Sequence, residues 1–330
     1  MPAPGLFSTR RARAAAREAA ARAADDRALL TRELMARVRA IQIRTHKLVN
    51  TALSGGYRST FRGSGVEFSE VRAYTPGDDV RRIDWNVTAR TGEAFIKTYA
   101  EERELTLHLV VDQSRSMDFG SGEWTKREVA AQLASLITFV ALRHQDRVGL
   151  SLFGERPGMH LPAKKGSQHL LRIVREVLAS RATSPGSDFA AALEQEERLL
   201  RRRSVVFVVS DFLEGPGQRT RDWTQPLARL GLRHDLIAVR VFDPFESQLP
   251  AAGMLEFREL EGGALRELDT RSAAVRQIWA ARAATRREEL VATFARARAD
   301  LLELDTTRDV GDSLRAFFRR RVMARGAPRR

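Results

Sequence analysis

From about residue 104 onward, short apolar runs alternate with longer stretches whose apolar positions recur every three to four residues. The first period marks a strand and the second an amphipathic helix. Residues 105–111 read as a strand. Residues 125–144 read as a helix with Val129, Leu133, Leu136, Ile137 and Val140 on one face. A strand follows at 147–153, then helices at 167–180 and 188–202. Residues 205–209 are five consecutive apolar side chains, four of them Val, the pattern of a strand buried on both faces. The chain continues with a helix near 222–231, a strand at 235–242, a hairpin over 254–268 and a long helix over 272–298. A strand at 301–304 and a helix at 311–322 close it. Strands alternating with helices predict an α/β fold, a doubly wound and mostly parallel sheet spanning 104–325.

The residues before it have other patterns. Over 55–103, Gly55, Gly56, Gly63, Gly65, Pro76, Gly77 and Gly92 punctuate short runs at 66–74 and 94–99. These are turn and strand signals, and they predict a small β-rich subdomain without a long helix. Residues 10–50 read as helix, with Leu29, Leu30, Leu34, Val38, Ile41 and Leu48 at near-helical spacing. Residues 1–54 are therefore set apart as a basic, helical N-terminal segment.

Composition narrows the functions. Apolar residues make up 43% of the 330, so a sizeable core is expected. The absence of Cys removes disulfides, thiolate metal sites and a Cys nucleophile. No apolar run reaches the length of a membrane span and no signal core opens the chain, so a cytoplasmic location is expected. The net charge of +14 invites a nucleic-acid reading. That charge is concentrated in residues 1–50 (+7) and 271–330 (+8), and the middle of the chain is neutral. With 51 Arg to 5 Lys and no basic-aromatic stacking pattern at either end, nucleic-acid or acidic-membrane binding ranks as an accessory property.

Familiar catalytic signatures are absent: no phosphate loop ends in Gly-Lys-Ser or Gly-Lys-Thr, and there is no Gly-X-Ser-X-Gly elbow or His-Glu-X-X-His helix. The six His are scattered singly, and each is expected to be a packing or surface residue. Oxygen chemistry remains. Asp112, Ser114 and Ser116 leave the first core strand, Ser210 and Asp211 end the next buried one, and Ser187 and Asp188 precede a helix. In a doubly wound sheet these loops converge beyond the carboxyl ends of the strands. Taken singly, Ser114 and Ser116 satisfy turn backbone and Ser187 is an N-cap. Together, the carboxylates and hydroxyls suit a hard ion such as magnesium.

Asp112-X-Ser114-X-Ser116 followed by Ser187 and Asp211 resembles the metal-ion-dependent adhesion site of von Willebrand factor A domains, with Ser187 where Thr is usual. The resemblance implies Asp112, Ser114 and Ser116 as primary ligands of Mg2+ (or Mn2+ or Ca2+). Ser187 and Asp211 would bind directly or through water, and a partner carboxylate would complete the shell. A second set of motifs is more specific. Residues 62–68 (Arg-Gly-Ser-Gly-Val-Glu-Phe), 71–79, Arg81 to Trp85, Ala89-Arg90, 146–149 and 243–250 resemble the domain of unknown function 58 family, bacterial proteins with a von Willebrand A-like fold. That resemblance, over roughly 40–320, implies a MoxR-type AAA+ ATPase as partner. The expectation is a non-enzymatic, metal-dependent adaptor in chaperone-like remodelling or maturation of other proteins. The alternative is a metal-dependent phosphoesterase built on the Asp112 cluster. Within 62–90, Asp78, Asp79 and Asp84 are expected to pair with Arg72, Arg81, Arg82 and Arg90, either locking the subdomain to the sheet or forming a partner surface.

Overall fold

A computed structural model describes residues 57, 60, 61, 67–100, 104–180, 186–213, 221–258 and 265–326. The helix expected over 10–50 and residues 62–66 of the family motif lie outside these. The first elements are β1 (Glu67–Ala73), α1 (Trp85–Thr91) and β2 (Phe95–Ala100), with the two strands antiparallel. One of the expected ion pairs forms, and two of the carboxylates also take on local backbone roles. Arg72 meets Asp78 at 2.7 Å, within the loop that follows β1. Asp79 accepts from the Arg81 backbone N–H, and Asp84 caps α1 through the N–H groups of Asn86 and Val87. A short carboxylate just before a helical turn satisfies otherwise orphaned backbone donors.

The main domain follows in chain order. It comprises β3 (Thr106–Asp112), α2 (Lys126–Arg143), β4 (Arg147–Phe153), β5 (Pro157–Lys164), α3 (Ser167–Ala179), α4 (Phe189–Leu199) and β6 (Val205–Ser210). Next come α5 (Thr224–Arg233), β7 (Asp235–Phe242), the single turn α6 (Pro244–Ser247), the antiparallel pair β8 (Met254–Arg258) and β9 (Leu265–Asp269), α7 (Ala273–Arg296), β10 (Asp300–Asp305) and α8 (Val310–Gly326). Six strands form one sheet in the order β10-β7-β6-β3-β4-β5, parallel throughout except for β5 against β4.

The mostly parallel sheet is therefore the one the periodicity predicts, and its edge strand β5 is the element the periodicity misses. Pro157-Gly-Met-His-Leu-Pro-Ala-Lys164 carries two prolines and only one buried side chain, Leu161. Pro is tolerated on an edge, where one side of the backbone has no ladder partner, so no alternating pattern is needed there.

Helices cover both faces. α2, α3 and α8 pack Leu133, Ile137, Ile173 and Phe318 against Leu107, Leu109, Phe207 and Val209. α4, α5 and α7 pack Leu193, Leu230 and Phe294 against Val110, Val206 and Val208 on the other face. Successive side chains of a strand point to opposite faces, so odd and even positions of β3 and β6 serve different layers. α2 starts from a capping box in which Thr125 accepts from the Glu128 N–H and Glu128 accepts from the Thr125 N–H. Tyr57 reaches the first layer and donates its hydroxyl to Asp146 Oδ2 at 2.7 Å, while Oδ1 accepts from the Leu105 N–H at 2.8 Å.

Candidate functional site

β3 runs on to β4 and β5 on one side, and β6, β7 and β10 extend the sheet on the other. The strand order reverses between β3 and β6, and ligand crevices open at that point beyond the carboxyl ends. Asp112 ends β3 there, and Ser210 ends β6 with Asp211 next to it.

The Asp112 carboxylate is fully buried and gathers three loops. Oδ1 accepts from the Ser114 N–H at 2.8 Å and the Ser187 hydroxyl at 2.6 Å, and Oδ2 accepts from the Ser210 hydroxyl at 2.6 Å. Ser114 Oγ and Ser116 Oγ lie 2.9 Å apart. The Ser187 loop is held by the Asp188 N–H, which donates to Gly154 O at 2.8 Å. Asp188, not Ser187, is the N-cap of α4, accepting from the Ala191 N–H. This corrects the capping role open to Ser187 from sequence and leaves its hydroxyl in the cluster.

Burial and the neighbouring Asp211 charge push the Asp112 carboxyl above its ordinary range, against the pull of its hydrogen bonds. Among the described residues no Lys or Arg pairs with Asp112, although Asp211 has such a partner: Lys126 Nζ lies 2.5 Å from Asp211 Oδ2 and also bonds Glu246 Oε1. Lys126 is the first residue of α2 and is wholly buried. Burial opposes its charge, but Asp211 and Glu246 outweigh that and hold the ammonium above its ordinary range. Asp112, Asp211 and Glu246 outnumber the cations they meet, Lys126 being the one that pairs with this group and Arg127 bonding the Ser114 carbonyl and Asp118 instead. The hard oxygen donors, the buried carboxylate without a cationic partner and the excess of carboxylates all fit magnesium or a similar ion.

The loop after β6 is shaped by Phe212, a non-Gly residue at φ 54°. A left-handed backbone costs such a residue roughly 1–2 kcal/mol. Its ring is anchored among Phe189, Trp223 and Phe294 at centroid distances of 4.9–6.1 Å, and its N–H donates to Ser210 Oγ at 2.9 Å. Asp211 just before it is held by Lys126 and by the Leu213 N–H, which donates to its Oδ1 at 3.0 Å. On the β4 side a cavity of about 540 Å³ opens, lined by Gln113, Glu155, Arg156, Met159, Glu176 and Ser180. Gln113 follows Asp112 directly, and both of its amide atoms are buried without a hydrogen-bond partner.

The structure thus joins Asp112, Ser114, Ser116 and Ser187 by hydrogen bonds, directly or through one another, and sets Asp211 alongside with its carboxylate committed to Lys126. Sequence reading missed Lys126, the Ser210 bond to Asp112, and Glu246. Glu246 does stand in the 243–250 motif, beside Asp243, which is buried and accepts from the Ser121 N–H and hydroxyl and from the Thr306 hydroxyl. A lone Lys at the start of a helix carries no pattern that distinguishes it from a solvated one.

Residues 70–289 match the protein family DUF58, described as proteins of unknown function. The chain is 35% identical over 289 residues to the uncharacterized protein Rv1480 of Mycobacterium tuberculosis, covering 87% of this chain and 89% of that one. It is 28% identical over 124 residues to the uncharacterized protein YeaD of Bacillus subtilis, covering 37% and 29%. Among solved structures it is similar to the hypothetical protein BatB of Bacteroides thetaiotaomicron, at 14% identity and TM-score 0.42, over 66% of this chain and 99% of that one. The VWA domain of SpRpn10 matches at 10% identity and TM-score 0.35, over 64% and 94%. Among the described residues no helix is long and apolar enough to cross a membrane.

Proposed function

The chain belongs to the DUF58 family, and we propose that it is a protein-binding adaptor that takes a partner's carboxylate through a divalent cation at the Asp112 cluster. The observation that carries this reading is the buried Asp112 carboxylate, which is ringed by hydroxyls at the point of strand-order reversal and which no Lys or Arg pairs with directly among the described residues, Arg127 bonding the Ser114 carbonyl beside it. Asp112, Ser114, Ser116, Ser187 and Asp211 would hold the ion, which when bound supplies an exchangeable position for an Asp or Glu of another protein.

The chain's own groups divide the work. Ser210 and the Ser114 N–H orient Asp112, and Phe212 and Lys126 position Asp211. Lys126 also absorbs one negative charge, and the carboxylates still outnumber the cations that pair with them. Gln113, with a buried amide and no partner beside the cavity, is placed to pair with the backbone of a docked segment. By family resemblance the partner is a MoxR-type AAA+ ATPase in the cytoplasm, and the joint activity is remodelling or maturation of client proteins.

The test is retention of such an ATPase on the purified full chain in magnesium, in chelator, and with Asp112→Ala. Binding only by the wild type in magnesium supports the adaptor. Equal binding in all three arms overturns the metal dependence. Release of phosphate from a generic phosphoester by the wild type but not by Asp112→Asn would replace the adaptor with a phosphoesterase.

A further inference from the structure

A second group of ligating side chains lies inside the layer covered by α4. His108 on β3, Ser151 on β4 and His160 on β5 share one face of the sheet, and Glu196 comes down onto them from α4. One potential ligand atom from each of His108, His160 and Glu196 falls within 4.8 Å of the others. We propose that these three residues form a second cation site, selective for a zinc-class divalent ion and separate from the all-oxygen Asp112 cluster.

Glu196 motivates the assignment. Its side chain is 1% exposed, and its Oε2 meets His108 Nε2 at 3.1 Å. No Lys or Arg approaches Glu196 among the described residues. A buried carboxylate needs a counter-charge, and a cation held jointly with the two imidazoles supplies one. The nearest neutral group, Ser151 Oγ, lies 3.0 Å from His108 Nε2 and 2.9 Å from His160 Nδ1. It bridges the two imidazoles but supplies no charge. These contacts are also the wrong ones for a Ser-His-Glu triad, because Glu196 and Ser151 approach the same ring nitrogen of His108.

The donor set decides the class of ion. Two imidazole nitrogens and one carboxylate suit zinc, which commonly takes such a trio with a fourth position left open. Magnesium and calcium favour oxygen alone. His108 stands four residues before Asp112 on β3, about 13 Å along the strand, so the two clusters do not share ligands. Entry is from the sheet edge, where His160 is half-buried on β5. Gly149 belongs to the same arrangement, since a Cβ there would meet His108 Nδ1 at 2.4 Å. Only glycine lets the imidazole stand where it does.

The experiment is a zinc titration of the full chain, without an affinity tag and stripped of metal, in competition with a chromophoric chelator and with magnesium in excess. One equivalent of zinc is expected to bind the wild type and Asp112→Ala alike. His160→Ala and Glu196→Gln are expected to weaken it by at least about 10-fold. His160 is half-exposed, so its variant keeps the fold, and circular dichroism reports on Glu196→Gln. Cobalt(II) added to the wild type is expected to give the intense visible absorption of a four-coordinate site. Zinc binding that is absent from the wild type, or equal in wild type and His160→Ala, overturns the proposal, as does a weak octahedral cobalt spectrum. Loss of zinc in Asp112→Ala alone would place the ion at the first cluster and overturn it too.

Discussion

Lys126 holds two carboxylates together in a place closed to water, and this makes it the most consequential single charge near the site. Replacing it with Met leaves the buried Asp211 and the partly buried Glu246 facing each other without a cation. Removing one partner of a buried ion pair costs about 3–5 kcal/mol, so Lys126→Met is expected to lower the urea midpoint sharply. In a Glu246→Gln background the same substitution is expected to cost less, because one of the stranded charges is gone. A loss as small as that of a surface pair would show that water reaches the ammonium. Phe212 is a second residue whose effect depends on its surroundings. Phe212→Ala removes the ring that packs on Phe189 and Phe294 and keeps the backbone left-handed. The expected loss is about 3–5 kcal/mol, the range for a buried Phe, together with weaker magnesium binding because Asp211 is no longer held in place.

Between elements, backbone proximity and ion pairs set the contacts. Gly231 in the last turn of α5 lies so close to the end of α7 that an added Cβ would fall 1.9 Å from the Ala297 carbonyl. In an exposed helix Gly→Ala stabilises by up to about 1 kcal/mol. Here Gly231→Ala is expected to destabilise by about 1–3 kcal/mol, since the obstacle is backbone rather than a mobile side chain; chemical denaturation would read the sign directly. α7 is also tied to β10 and β7 through Glu303, whose carboxylate accepts from Arg287 at 2.8 and 2.6 Å and from Arg240 at 3.0 Å. Burial opposes ionisation of Glu303, but the two guanidiniums outweigh it and hold the carboxyl below its ordinary 4.5. The folded value is the lower one. The stabilisation is therefore complete above about pH 4.5 and is lost as pH falls through the depressed folded value. The stability difference between wild type and Glu303→Gln, on the order of 1 kcal/mol at pH 7, is expected to shrink between pH 5 and pH 3 in denaturation curves.

At the scale of the whole molecule, the reversal of strand order between β3 and β6 makes the proposed cation site part of the fold. Asp112 and Ser210 belong to neighbouring strands of the core, so an ion held there is coupled to global stability. A ligand that binds only the native state adds about 2.7 kcal/mol at a hundred times its dissociation constant. Magnesium is accordingly expected to raise the melting midpoint of the wild type and to leave that of Asp112→Asn unchanged, as a thermal melt with and without chelator would show. A rise of equal size in both proteins would move the ion elsewhere.

Much of this architecture is legible in the chain alone, because burial imposes a period. The apolar run at 205–209 could only be a central strand. The 3.6-residue spacing of Val129, Leu133, Leu136 and Ile137 could only be a buried helix face. The order of Asp112, Ser114, Ser116, Ser187 and Asp211 at strand ends was readable for the same reason, since topology carries strand ends to one edge. β5 was not, because an edge strand with two prolines needs no alternation. Lys126, Glu246 and the His108, Ser151, His160 and Glu196 group were also hidden. Their meaning depends on which side chains arrive from distant segments in a space without water. Sequence determines which residues must leave water; only the packed structure decides which charges and lone pairs meet once they have.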